Sequence, residues 1–110
     1  MKLYRIEDTH QGWFIGDFEK AAFQTNNFEA CWRIHKKDEK WDTHYHKHIT
    51  EINLLVSGTM FLQNKKLVSG DIFILYPYEI ADPIFITDCE IVCIKVPGIV
   101  NDKVVIKTND

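Results

Sequence analysis

The sequence predicts an all-β domain, and three observations carry that expectation. The segment "NFEACWRIH" alternates Phe28, Ala30, Trp32 and Ile34 with Glu29, Cys31, Arg33 and His35. A period of two places successive side chains on opposite faces of a strand. Short apolar runs recur along the chain, with Gly, Pro or Asn between them. Only one segment, "DFEKAAF", has the pattern of a helical turn. Many short strands punctuated in this way imply a sandwich or a barrel.

Taken in order, "GWFIG" is a strand of β-favouring residues between glycines, and "NFEACWRIH" is the alternating strand. "EINLLVSG" is a strand ended by Ser-Gly. "TMFLQNKKLVSG" reads as a hairpin turning near Asn64-Lys65. "GDIFILYP" is a strand stopped by Pro77, and "PIFIT", "EIVCIKV" and "KVVIKT" complete the series. No repeat, low-complexity tract or linker interrupts it.

The 110 residues make one domain, 1–110, large enough for a real core. Apolar residues make up 45% and charged residues 26%, the balance of a soluble globular protein. The net charge of −3 suggests no basic face, which argues against nucleic acid as a partner. The lysines of "HKKDEK" are diluted by Asp38 and Glu39 and read as a solvated turn. No apolar run approaches the ~20 residues that span a bilayer, so no membrane partner is expected. "MKLYRIEDTH" has no stretch of signal-peptide type. Cys31, Cys89 and Cys93 are odd in number, which favours reduced thiols in a cytoplasm. Cys89 and Cys93 lack a second pair to complete a metal site and read as buried core thiols.

The segment "THYHKHITEINLLVSG" concentrates the chemistry. His44, His46 and His48 occupy alternate positions, and Glu51 follows. On a strand, His44 and His46 project to one side and can converge on one transition-metal ion. Glu51 has the opposite parity. It joins them only if a bulge or turn lies between Lys47 and Thr50. Two imidazoles and a carboxylate then form a set with coordination positions left open. A strand running straight through residue 48 would instead give a three-histidine site without Glu51. A plain edge strand of exposed histidines is the third possibility.

The spacing His44-x-His46, four residues, Glu51, six residues, Gly58 resembles the first motif of the cupin superfamily, H-x-H-x(3,4)-E-x(6)-G. All four positions match. Asp38 stands where the wider motif has a glycine. The second motif, G-x(5)-P-x-G-x-x-H-x(3)-N, is degenerate. Gly70 matches, but Tyr76 stands at the proline, with Pro77 one position late. Tyr78 stands at the glycine, Ala81 at the last metal-binding histidine and Phe85 at the asparagine. Asp82 replaces the lost ligand only if a local bulge turns it inward. The resemblance covers residues 28–97.

The resemblance implies a single-domain antiparallel jelly-roll β-barrel with a small-molecule pocket at its open end. It implies a divalent transition metal, Fe, Mn, Zn, Ni or Co, held by His44, His46 and Glu51. Strand parity within such a barrel places Asn53 and Phe85 in the substrate pocket. Tyr76 and Tyr78 stand at a strand end where their hydroxyls meet a ligand or pack at the rim. Trp13, Trp32 and Trp41 read as core or interface aromatics. Arg33 and His35 share a strand face, from which they reach an anionic ligand or solvent. The implied activity is that of a sugar or sugar-phosphate isomerase or epimerase using the metal as a Lewis acid. The alternative is a non-catalytic carbohydrate- or nucleotide-binding protein with a degenerate site. Both faces of "EINLLVSG" are apolar, with Ile52, Leu54 and Val56 opposite Leu55, and a homodimer is expected.

Overall fold

The computed structural model describes residues 1–107. A 3-10 turn, Ile6–Asp8, precedes eleven strands. These are β1 (Trp13–Gly16), β2 (Phe23–Gln24), β3 (Glu29–His35), β4 (His44–His46) and β5 (Thr50–Ser57). They continue with β6 (Thr59–Leu62), β7 (Lys65–Val68), β8 (Ile72–Leu75), β9 (Ile84–Phe85), β10 (Cys89–Val96) and β11 (Lys103–Val105). One six-stranded sheet runs β2-β1-β3-β10-β5-β8. A three-stranded sheet runs β7-β6-β9, and β4 pairs with β11. All pairs are antiparallel except β1 with β2.

The predicted all-β jelly roll is what the chain forms. Its inner face follows from register. Trp13, Cys31, Cys93, Asn53 and Phe73 pair across five strands in one row. The next row is Glu29, Lys95, Glu51 and Leu75. Residues paired across antiparallel strands share a face, so both rows look inward. Leu55 and Met60 are fully buried where the large sheet meets the three-stranded one. Truncating either to alanine would cost about 2–5 kcal/mol. All three cysteines are buried and free.

Two local expectations are corrected. The hairpin turns at Gln63-Asn64, one residue earlier than read, because Leu62 pairs with Lys65. Both turn residues have positive φ, 50° and 62°, as the primed two-residue turns of hairpins require. The segment "DFEKAAF" forms no helix. Phe18 accepts one turn bond from the Ala21 N–H, and the Ala22 N–H then bonds Phe14 in β1. That second bond draws Phe23 into β2 beside β1 and leaves no room for a further helical turn.

Candidate functional site

The turn that the histidine motif requires is present, and Asp102 makes it. Its carboxylate accepts from the backbone N–H groups of His48 at 2.9 Å and Ile49 at 3.0 Å. The His48 Nδ1 lies 2.8 Å from its other oxygen. Burial pushes the Asp102 carboxyl up, but these donors prevail and hold its pKa at about 2. The break between β4 and β5 reverses parity, so Glu51 returns to the side of His44 and His46. His48 points out, with its side chain 68% exposed. The three-histidine arrangement therefore does not assemble.

His44 and His46 are both buried, with ring centroids 5.6 Å apart at 85°. The Nδ1–H of His44 donates to the Asp42 carbonyl at 2.8 Å, which leaves Nε2 as the lone-pair nitrogen. Burial lowers the His44 pKa, so the ring is neutral at pH 7. The Nε2 of His46 lies 3.4 Å from Glu51 Oε2. Its Nδ1 is fully buried and has no hydrogen-bond partner among the described residues. Burial pushes the Glu51 carboxyl up. His46, Lys95 and the Asn53 amide overcome that and hold its pKa at about 2.

Two imidazoles and a carboxylate have the chemistry to ligate a divalent ion, and one pair of them stands near the required spacing. Two ligands each about 2.1 Å from one ion and at right angles lie about 3 Å apart. The His46–Glu51 separation is close to that. The orphaned His46 nitrogen is Nδ1, which diverges from Nε2, so an ion shared with Glu51 would leave it unpartnered. Among the described residues, no three His, Cys, Asp or Glu side chains already stand in ion-holding geometry.

These groups line an inner cavity of about 110 Å³, together with Arg33, His35 and Asn53. Phe85 lines it too and stacks on His35 with centroids 4.7 Å apart. His35 Nδ1 is held by Glu39 at 2.8 Å, leaving Nε2 as the nitrogen available to the cavity. Burial lowers the His35 pKa as well. Trp13 and Trp41 are wall residues of this cavity, not merely core aromatics as the sequence suggested. Trp32 is different: its indole N–H bonds Glu90 at 2.8 Å. Lys95 and Lys103 also line the cavity, and sequence reasoning missed both. Counting alternate positions forward from the buried Cys93 would have placed Lys95 inward.

No protein-family profile and no curated protein matches the sequence. Solved structures do. One is an uncharacterized conserved protein with a double-stranded beta-helix domain from Klebsiella pneumoniae, with TM-score 0.63 and 20% identity. The match covers 76% of this chain and 78% of that one. A cupin protein from Bacteroides fragilis matches with TM-score 0.55 and 17% identity, over 78% and 75% of the two chains. The DMSP lyase DddQ from Ruegeria pomeroyi matches with TM-score 0.65 and 14% identity. There the match covers 84% of this chain but 49% of the other. The chain has the cupin fold.

Within this cupin barrel the degenerate positions have structural answers. Asp38 replaces the upstream glycine yet keeps a left-handed backbone, with φ of 63°. Aspartate tolerates that conformation better than most residues. Ala81 pairs with His44 through two backbone bonds, of 3.1 and 2.8 Å, so it faces the cavity beside that ring. Asp82 turns away and caps the Gln63 N–H at 2.8 Å. Tyr76 and Tyr78 do not reach the cavity. Both are exposed, and Tyr78, at φ of 69°, stacks on Tyr45 with centroids 5.5 Å apart. Strand β8 ends at Leu75, and the turn after it points both rings outward.

Proposed function

We propose that the chain holds one divalent transition metal through His44, His46 and Glu51, and acts on a small polar substrate of the sugar or sugar-phosphate class. The observation that carries this is the buried His46–Glu51 pair. Glu51 stays ionised in the interior, and His46 turns Nε2 toward it at 3.4 Å. Iron, manganese, zinc, nickel and cobalt all accept such nitrogen and oxygen donors. A bound ion would supply Lewis acidity to a substrate oxygen. Glu39 fixes the His35 ring, and the neutral Nε2 is suited to accept or return a proton in an isomerisation. The name of the Ruegeria pomeroyi protein, a lyase, supports catalysis on this fold by analogy only. Three free, buried thiols suit a reducing cytoplasm.

One observation favours a second reading, a binding protein without catalysis. Ala81 leaves the set one ligand short of the full cupin pattern, and His46 and Glu51 already contact each other. Elemental analysis of protein purified without a histidine tag separates the readings. About one equivalent of metal is expected, lost in the His44→Ala/His46→Ala variant and retained in His48→Ala. Full metal content in the double variant would overturn the assignment. Metal-free protein that carries a bound sugar or nucleotide would establish the binding role.

A further inference from the structure

The walls of the inner cavity are unevenly charged. Arg33, Lys95 and Lys103 line it, against Glu51 alone among carboxylates. This occurs in a chain whose net charge is −3. Among the described residues none of the three cations has a carboxylate within ion-pair distance. Aromatic faces hold them instead. The Lys95 ammonium sits 4.7 Å from the Trp13 ring centroid. The Arg33 guanidinium and the Lys103 ammonium share one ring, Trp41, at 5.3 and 5.2 Å. Cation–π contacts of this kind attract each cation to its ring. They do not cancel charge. Both cations keep their full charge at the cavity wall, and an anion entering the cavity is attracted to each.

Glu51 lies across from Lys95 but is turned to His46, and the other nearby carboxylates have partners of their own. Glu39 is bound to His35 and to the Trp41 indole N–H. Glu29 pairs with Lys95 in register and lines the neighbouring cleft with it, but forms no ion pair with it, and burial raises its pKa. Asp102 serves the β4–β5 turn.

That neighbouring cleft completes the picture. It has a volume of about 460 Å³ and adjoins the inner cavity, since Trp13, His46, Lys95 and Lys103 line both. Ligand pockets run to ~300–1,000 Å³, so the outer cleft holds a small organic molecule and the inner cavity does not. Lys95 and Lys103 form the throat between them. Register places Lys103 directly across from His46 and Lys95 across from Glu51.

We infer that the ligand is a small organic anion, a carboxylate or phosphate, whose charged group sits among Lys95, Lys103 and Arg33 while its neutral body occupies the outer cleft. This rests on the reading of the cavity as the functional site, but not on the metal. The arrangement also orients the ligand, because the anion-binding residues fix which end approaches His46 and Glu51.

The test uses metal-free, chelator-dialysed protein at low ionic strength. Tryptophan fluorescence reports binding, since Trp13 and Trp41 carry the cations, and calorimetry gives the affinity. The probes are inorganic phosphate and two matched pairs, glucose 6-phosphate against glucose and gluconate against sorbitol. At least one charged member should bind about tenfold or more tightly than its neutral partner and weaken as salt rises. Preference for the phosphate or the carboxylate member identifies the source of the anion. Lys103→Met should weaken binding about tenfold, and Lys95→Met/Lys103→Met further. Lys103 is exposed, so its replacement leaves the core intact. Lys66→Met, on β7, serves as the unaffected control.

Equal binding of charged and neutral partners would overturn the inference. So would wild-type affinity in the double lysine variant. An anion that binds only after metal is restored, and equally well to Lys103→Met, rides on the ion and also overturns it. Metal content is measured separately on the same proteins. Loss of the metal proposal with retained anion binding, or the reverse, is therefore visible.

Discussion

At the scale of single residues, Ala81 is the most informative position. Its backbone pairs with His44, and its methyl faces the inner cavity beside that ring. An imidazole placed there would stand on a strand-like backbone already fixed by two hydrogen bonds. Ala81→His should therefore tighten metal binding by about ten- to a hundredfold, the usual size of effects from tuning a metal's surroundings. Competition with a chelator measures this directly. Asp82→His should do nothing of the kind, because Asp82 faces Gln63 outside the cavity. Tighter binding in Asp82→His alone would show that the opposite register holds. This much of the site was legible in the sequence: the H-x-H…E spacing named three side chains, and parity brought Asn53 and Phe85 to the cavity. The two tyrosines, read as meeting a ligand or packing at the rim, lie outside the cavity because the turn after β8 points both rings outward. Asp102 was invisible because its partners lie more than fifty residues away in the chain. Lys95 and Lys103 were passed over because an inward lysine contradicts the ordinary expectation for charged residues.

At the scale of elements, two glycines of the cupin pattern have different reasons to be glycine. Gly58, between β5 and β6, has φ of +107°. A Cβ there would meet the Asp88 carbonyl oxygen at 2.4 Å and the Cys89 Cα at 2.9 Å, both on neighbouring backbone. Gly70, before β8, has φ of +93° and open space where a Cβ would stand. Gly58→Ala carries both conformational strain and a clash, costing about 2–5 kcal/mol. Gly70→Ala carries the strain alone, about 1–2 kcal/mol. Urea unfolding of the two variants compares them, and equal costs would refute the steric argument. Most strands were legible because period-two alternation and Gly or Pro stops are local signals. The hairpin register was not. Gln63-Asn64 and Asn64-Lys65 are both possible turns on composition, and the pairing of Leu62 with Lys65 is decided by the sheet as a whole. The "DFEKAAF" segment stops at one hydrogen-bonded turn for the same reason: the next N–H, of Ala22, bonds Phe14 in β1.

At the scale of the whole molecule, the outer face of the large sheet is the unresolved surface. Ile72, Leu54, Val92 and Trp32 pair across four strands, and Ile74, Ile52 and Ile94 form the adjoining row. These side chains are apolar, yet Ile72 is 67% exposed, Ile74 41% and Leu54 38%. The barrel interior already uses the other face of the same strands, so among the described residues no element remains to cover the band. A contiguous apolar surface of this kind is rare on a monomer and marks an interaction site. A second copy is the simplest occupant, because a two-fold axis through the band lets the same residues meet each other. Burying such side chains contributes about 25 cal/mol per Å² of apolar surface, which offsets the entropy lost on association only if the band is covered broadly. Multi-angle light scattering at micromolar concentration should give twice the 12.9 kDa chain mass. Leu54→Lys/Ile72→Lys places two charges at the centre of the band and should return the particle to one chain with the fold intact. A wild-type mass of 12.9 kDa would refute the dimer. A dimer that survives the double substitution would place the interface elsewhere on the barrel.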